Sequence, residues 1–296
     1  EPHGQRTLCH IEDRHHDSGD RTADPRGVGG ADALEVAHEV HHATVLEHKV
    51  LPVHDRVLES SGDQGIADVM HVHDWLAAFS GISFKHYLKK PIVLTMHSTE
   101  IGRAQGLHSP DSFSINGIEW WATYEADRVI VCSQSMKAEI CDHFNLPREK
   151  VDVIPNAIDV TKYQISVDRG AVRQRYGVGW GEKLILCVGR LVPQKGVEYF
   201  IRAIPSIARR YPEAKYIIVG EGWSRDILEA EARATGQNNK IHFTGFASDR
   251  EVVNLMTSAD VLVVPSIYEP FGIVALEGMA TGVPVVASKA HFGFQP

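Results

Sequence analysis

Gly189-Arg190-Leu191-Val192-Pro193-Gln194-Lys195-Gly196 and Glu269-Pro270-Phe271-Gly272-Ile273-Val274-Ala275-Leu276-Glu277 are the two stretches whose reading decides the fold. Each stands where an apolar, strand-like run ends and a helical pattern begins, at 184–188 and at 261–264. In an open α/β sheet, ligands bind outside the carboxyl ends of the strands. The first stretch places two fixed cations, Arg190 and Lys195, beside Gly189 and Gly196, where the backbone can come close to a ligand. The second places Glu269 on the loop and Glu277 two turns into the helix. Cations suit a diphosphate, and carboxylates suit sugar hydroxyls. Together they read as a nucleotide-sugar site.

The same alternation extends in both directions. Downstream of 182, residues 184–188, 216–219, 241–243, 261–264 and 283–287 read as strands. Helical patterns at 196–210, up to 234, at 248–258 with Ser248 as cap, and at 271–281 separate them. Upstream, 68–73, 91–95, 128–132 and 151–154 read as strands. Helices are expected from Asp74-Trp75 to about 87, at 114–126, and from Ser133 to about 144. Strand–helix alternation of this kind predicts α/β units with parallel sheets covered on both faces. The expected architecture is two Rossmann-like doubly wound domains facing a cleft. Residues 68–165 would form the remainder of the N-terminal, acceptor-side domain, 166–182 a linker region, and 183–296 the C-terminal, donor-binding domain. The chain stops just after its last strand, so the C-terminal domain is expected to be truncated.

Composition narrows the class. Of the 296 residues 43% are hydrophobic and 23% charged, the balance of a soluble globular protein. A net charge of −8 argues against nucleic acid as a partner, whose binding surface would be basic. No apolar run is long enough to predict a transmembrane segment, and the first residues carry no signal-peptide pattern. Cys9, Cys132, Cys141 and Cys187 show no CxxC spacing, which points to a reduced, cytoplasmic setting.

Residues 1–67 form an anomalous segment. They hold 9 of the 17 histidines, Lys49 as their only lysine, and no aromatic residue to build a core around. A disordered extension or a reading-frame error would both produce this texture and leave the N-terminal domain damaged. His15 and His16, or His38, His41 and His42 at helical spacing, invite a metal reading. The composition argues against it, and no metal is expected.

From 68 to about 290 the sequence resembles the glycogen/starch-synthase-like branch of the retaining family-4 glycosyltransferases. The phrases that carry the likeness occur in order: HVHDW (71–75), TMHSTEIGR (95–103), IEWWATYEADRVIVCSQ (118–134), VIPNAID (153–159), VGRLVPQKG (188–196), IVGEG (218–222), FTGF (243–246) and YEPFGIVALEGMATGVPVVAS (268–288). The resemblance implies the two-domain GT-B fold. It implies a nucleotide-diphosphate sugar as donor (ADP-, UDP- or GDP-linked) and no metal or other cofactor. Arg190 and Lys195 then match the pair that binds the donor diphosphate. Glu269 matches the first Glu of the family's E-x7-E signature, which contacts the donor hexose, and Glu277 the second, which holds the ribose hydroxyls. Phe271, Gly272 and Ile273 would supply backbone N–H groups at the helix start, and Gly189 a close approach to the phosphate. His97 matches a histidine near the transferred hexose. His71 and His73 are expected to be mostly structural, and Asp74 either caps a helix or reaches the acceptor side. Glu100 and Arg103 would line the acceptor cleft, while Glu119, Trp120 and Trp121 read as packing.

The implied activity is retaining transfer of a hexose, most naturally glucose, to a glucan or other sugar acceptor. Transfer of mannose or glucose to a lipid or small sugar is the alternative, as is an inactive nucleotide-sugar-binding fragment. The family's Gly-Gly loop has only Gly29-Gly30 as a candidate, and AHEVHH at 37–42 echoes the family's Gly-His-Glu-Val text only faintly. Asn156-Ala157 stands where Asn-Gly is usual.

Overall fold

The computed structural model describes residues 9–10 and 67–289. His15, His16, Gly29, Gly30, His38, His41 and His42 lie outside the described residues. The chain divides into two compact units. Among the described residues, one runs up to Val131 and takes in Met136–Ile154, and the other holds Cys132–Ser135 and the residues that follow from Pro155.

In the first unit the strands β1 (Cys9–His10), β2 (Met70–His73), β3 (Ile92–Met96), β4 (Arg128–Val131) and β5 (Val151–Val153) pair in parallel, side by side in chain order. Helix α1 (Ala78–Leu88) follows β2, and α2 (Glu100–Arg103) and α3 (Pro110–Glu125) follow β3. Helix α4 (Gln134–Phe144) follows β4. Two helix starts differ from expectation. A 3₁₀ turn at Trp75–Ala77 delays α1. Helix α3 begins a turn early because Ser109 and Ser112 form a reciprocal capping box with Pro110 in the first helical turn. Val72, Ile92, Leu94, Met96, Val129 and Val131 of the strands are buried, and so are Phe79, Ile82, Ile118, Ala122, Met136 and Ile140 of the helices.

The second unit contains α5 (Arg169–Arg175), β6 (Lys183–Val188), α6 (Val197–Arg210), β7 (Ala214–Val219), α7 (Arg225–Ala234), β8 (Ile241–Gly245), α8 (Asp249–Ser258), β9 (Val261–Val264), α9 (Ile273–Thr281) and β10 (Val285–Ala287). All five strands are parallel, in the order β10-β9-β6-β7-β8. Alternate residues of β6 face opposite ways. Leu184 and Leu186 join Val172, Leu255, Met256 and Ala275, while Cys187 joins Phe200, Ile201, Ile204 and Leu228. Helices α5, α8 and α9 therefore cover one face, and α6 and α7 the other, giving the doubly wound layering. Ser248 caps α8 as expected, accepting a hydrogen bond from Glu251 N at 3.4 Å.

Residues 166–182 are part of this core and do not form a linker. Asp168 caps α5, Val172 and Val178 are buried in the sheet core, and Arg173 donates to Ser258 O (3.0 Å) and Asp260 Oδ2 (3.1 Å). The unit boundary thus falls near Pro155 and not near 165.

Candidate functional site

In the second sheet the chain starts in the middle at β6, steps out to β7 and β8, then crosses to β9 on the other side of β6. The loops leaving β6 and β9 must diverge, and a crevice opens between their carboxyl ends. Both stretches singled out in the sequence leave from these two ends.

The loop after β6 is held from both sides by backbone. Toward β7, Gly189 N donates to Val219 O (3.0 Å), Leu191 N to Glu221 O (2.8 Å), and Ser224 N to Leu191 O (3.1 Å). Toward β9, Gln194 O accepts from Ile267 N (2.9 Å) and Tyr268 N (3.3 Å). Gly196 turns the chain into α6 with φ of 60°, and a Cβ there would lie 2.2 Å from Pro265 O. Only glycine fits that left-handed, crowded position.

This clamp sets Lys195 against the β9 loop. Lys195 Nζ donates to Glu269 Oε2 at 2.7 Å, across 74 residues of sequence. Ser266 Oγ donates to the same oxygen at 2.9 Å. Gly189, Lys195, Val197, Ser266, Glu269 and Val274 line one small cleft. Three of the residues singled out in the sequence therefore meet in one cleft.

The others sit around it. Arg190 is exposed and makes no side-chain hydrogen bond among the described residues. Helix α9 begins at Ile273, two residues later than expected. Phe271 is buried, and Gly272 is the N-cap in the left-handed region (φ 90°). Glu277 is half-buried and accepts a 2.7 Å hydrogen bond from the Tyr163 hydroxyl. Nothing in the sequence pointed to Tyr163, which lies 114 residues away from its partner.

In the first unit, polar groups gather at the carboxyl end of β3. His97 is exposed, and its backbone N–H donates to Asp74 Oδ1 at 2.8 Å. Asp74 makes no capping bond, so of its two expected roles the helix cap is ruled out. The His97 ring lies parallel to His73, with Nε2 and Nδ1 3.0 Å apart, and the His71 and His73 ring centres are 4.4 Å apart. His71 Nε2 in turn contacts Thr95 Oγ1 at 2.7 Å. The two strand histidines form a row leading to His97.

Glu119 organises the segment that follows. It is 1% exposed, and both its carboxylate oxygens lie 2.9 Å from Glu100 N. Arg103 Nη2 donates to it at 3.2 Å, and also to Glu100 Oε2 at 2.9 Å, while Nη1 reaches Ser98 Oγ at 2.7 Å. Burial pushes the Glu119 carboxyl up to about 7, outweighing the Glu100 N–H and the Arg103 charge that favour ionisation. Glu119 is thus more than packing, and a lone carboxylate in the apolar run IEWW was the signal for it. Trp121 packs edge-on to Phe79 as expected, whereas Trp120 is exposed and stacks on Tyr124. Among the described residues, no three His, Cys, Asp or Glu side chains are grouped to hold a metal ion.

Two parallel α/β units, one with a cation–carboxylate cleft at a strand-order reversal, define a two-unit Rossmann-like protein of the GT-B type. The comparisons then give the family. Residues 29–162 match Glycosyltransferase Family 4, and residues 168–295 match Glycosyl transferases group 1. The chain belongs to these glycosyltransferases and is of the glycogen/starch-synthase-like type. The family match begins at residue 29, inside the segment that composition sets apart.

The chain is 48% identical over 225 residues to an uncharacterised glycosyltransferase of Methanocaldococcus jannaschii, covering 75% of this chain and 57% of that protein. It is 37% identical over 223 residues to glycogen synthase of Mycobacterium tuberculosis, covering 75% and 52%. It spans little more than half the length of these curated relatives. Among solved structures it resembles Anabaena Alr3699/HepE in complex with UDP-glucose (25% identity, TM-score 0.66, 76% of this chain and 60% of that one). It also resembles sucrose-phosphate synthase of Thermosynechococcus elongatus (25%, 0.67, 79% and 59%). Among the described residues no helix is long and apolar enough to cross a membrane.

Proposed function

We propose that the intact protein transfers a hexose, glucose in the first instance, from a nucleotide-diphosphate sugar to a glucan or other sugar acceptor, with retention of anomeric configuration. The observation that carries this is the Lys195–Glu269 pair in the cleft between the β6 and β9 loops. A cation and a carboxylate side by side match the two halves of the donor, its diphosphate and its hexose. Glycogen synthase among the relatives supports a glucan acceptor, and UDP-glucose bound to HepE supports a nucleotide-linked glucose donor.

In this reading Arg190 and Lys195 bind the diphosphate. As the bond from the hexose C1 to the phosphate oxygen breaks, negative charge grows on the leaving group, and fixed cations stabilise it without reorganising. No metal is required for that task. The acceptor hydroxyl attacks C1 from the face the diphosphate leaves, its oxygen forms the new bond, and its proton passes to the departing phosphate oxygen. Glu269 orients the hexose hydroxyls. The protein contributes positioning and electrostatic stabilisation. Glu277 holds the ribose, and Gly189, Gly272 and the N–H groups entering α9 approach the donor. The buried thiols of Cys132, Cys141 and Cys187 suit a reduced cytoplasmic setting.

Calorimetric titration with ADP, UDP and GDP tests the site. One of them should bind, and Lys195→Ala should abolish that binding. Binding without hexose transfer would identify a nucleotide-sugar-binding fragment. No binding to a folded chain would overturn the donor-site reading.

A further inference from the structure

Tyr163 belongs to the segment that links the PNAID turn to α5, and local chemistry fixes its direction. Asp159 caps a 3₁₀ turn at Val160–Tyr163, accepting from Thr161 N at 3.1 Å and Thr161 Oγ1 at 2.6 Å. The turn packs against α9, and its last residue donates its hydroxyl proton to Glu277 Oε1 at 2.7 Å. Burial, followed by the bond to Glu277, pushes the Tyr163 hydroxyl well above the ordinary tyrosine value. It therefore keeps its proton and always has one to donate.

We propose that Tyr163 is the positioning residue for Glu277, and that it sets how strongly the site prefers a ribose over a sugar without vicinal hydroxyls. This rests on the reading of Glu277 as the ribose contact. A carboxylate on a helix surface samples several rotamers. One hydrogen bond at Oε1 selects one of them and leaves Oε2 to accept from the ligand. Two adjacent hydroxyls are a demanding target, so a carboxylate free to turn discriminates poorly.

The test compares a nucleoside diphosphate with its 2′,3′-dideoxy form on the full-length chain, using whichever of ADP, UDP and GDP binds. The wild type should prefer the ribose form by about 10- to 100-fold, the worth of hydrogen bonds to a charged acceptor. Glu277→Ala should erase the preference. Tyr163→Phe, which removes one oxygen and keeps the ring, should reduce the preference about threefold or more while binding of the dideoxy form stays within about twofold. Equal weakening of both nucleotides in Tyr163→Phe would mean a merely structural role, and an unchanged preference would mean none. Either result overturns the proposal. If the wild type shows no preference, or Glu277→Ala retains it, the ribose assignment itself has failed. If no nucleotide binds, both readings fall together.

Discussion

The two units build their polar sites by different means. In the second unit, strand order reverses between β6 and β9, so loops from distant parts of the chain open a crevice and bring Lys195 and Glu269 together as a pair. In the first unit, the described strands lie in chain order, and the polar groups come mainly from the single segment after β3. That segment needs an internal scaffold. Glu119 supplies it from α3 by binding Glu100 N and Arg103 under a buried surface. Topology can create a site from rigid sheet edges. Where topology does not, a buried polar group must hold the loop in place.

The sharpest way to break this contrast is Lys195→Ala. Hexose transfer should fall by about a thousandfold, as when one preorganised group facing developing charge is removed, while the melting temperature stays within a few degrees. A rate close to wild type would show that the crevice is not where the diphosphate leaves. Next comes Gly196→Ala, which puts a methyl 2.2 Å from Pro265 O at a left-handed position. Denaturant unfolding should show a loss of about 2–4 kcal/mol. Full stability would mean that the β6 and β9 loops are not locked together.

The scaffold of the first unit is probed by Glu119→Gln. A folded carboxyl that holds its proton to about 7 binds more protons than an unfolded one with the ordinary value of 4.5. Wild-type stability should therefore be greatest below the lower value and fall as pH rises across that window. The Gln variant should lack this component. Superimposable stability curves from pH 4 to 8 would refute the buried-carboxylate account. The smallest effect is expected for Arg128→Ala. Its pair with Asp152 leaves both side chains 48% exposed, and its loss should cost less than about 1 kcal/mol in urea unfolding. A larger loss would mean that surface pairing, and not burial, holds the first sheet.

Much of this was legible in sequence. The strands 184–188 and 261–264, the Ser248 cap and the glycine-framed Lys195 are local signals written into a few consecutive residues. Helix α3 began early because Ser109-Pro110 outweighed the apolar period used to find it. Residues 166–182 read as a linker because their apolar positions are sparse, yet Arg173 ties them to Asp260 across 87 residues. Tyr163 and Glu277 could not be joined by reading, since nothing near either residue encodes the other.

By itself the sequence determined where strands end, where helices start, and which loops carry cations, carboxylates and glycines. These follow from backbone preference and periodicity within a turn or two. Only the tertiary structure decided which strand ends are neighbours, that β9 lies beside β6, and that Lys195 meets Glu269 while Glu277 meets Tyr163. The reason is physical: strand pairing is settled by burying both faces of the whole sheet at once, and that energy belongs to no single segment.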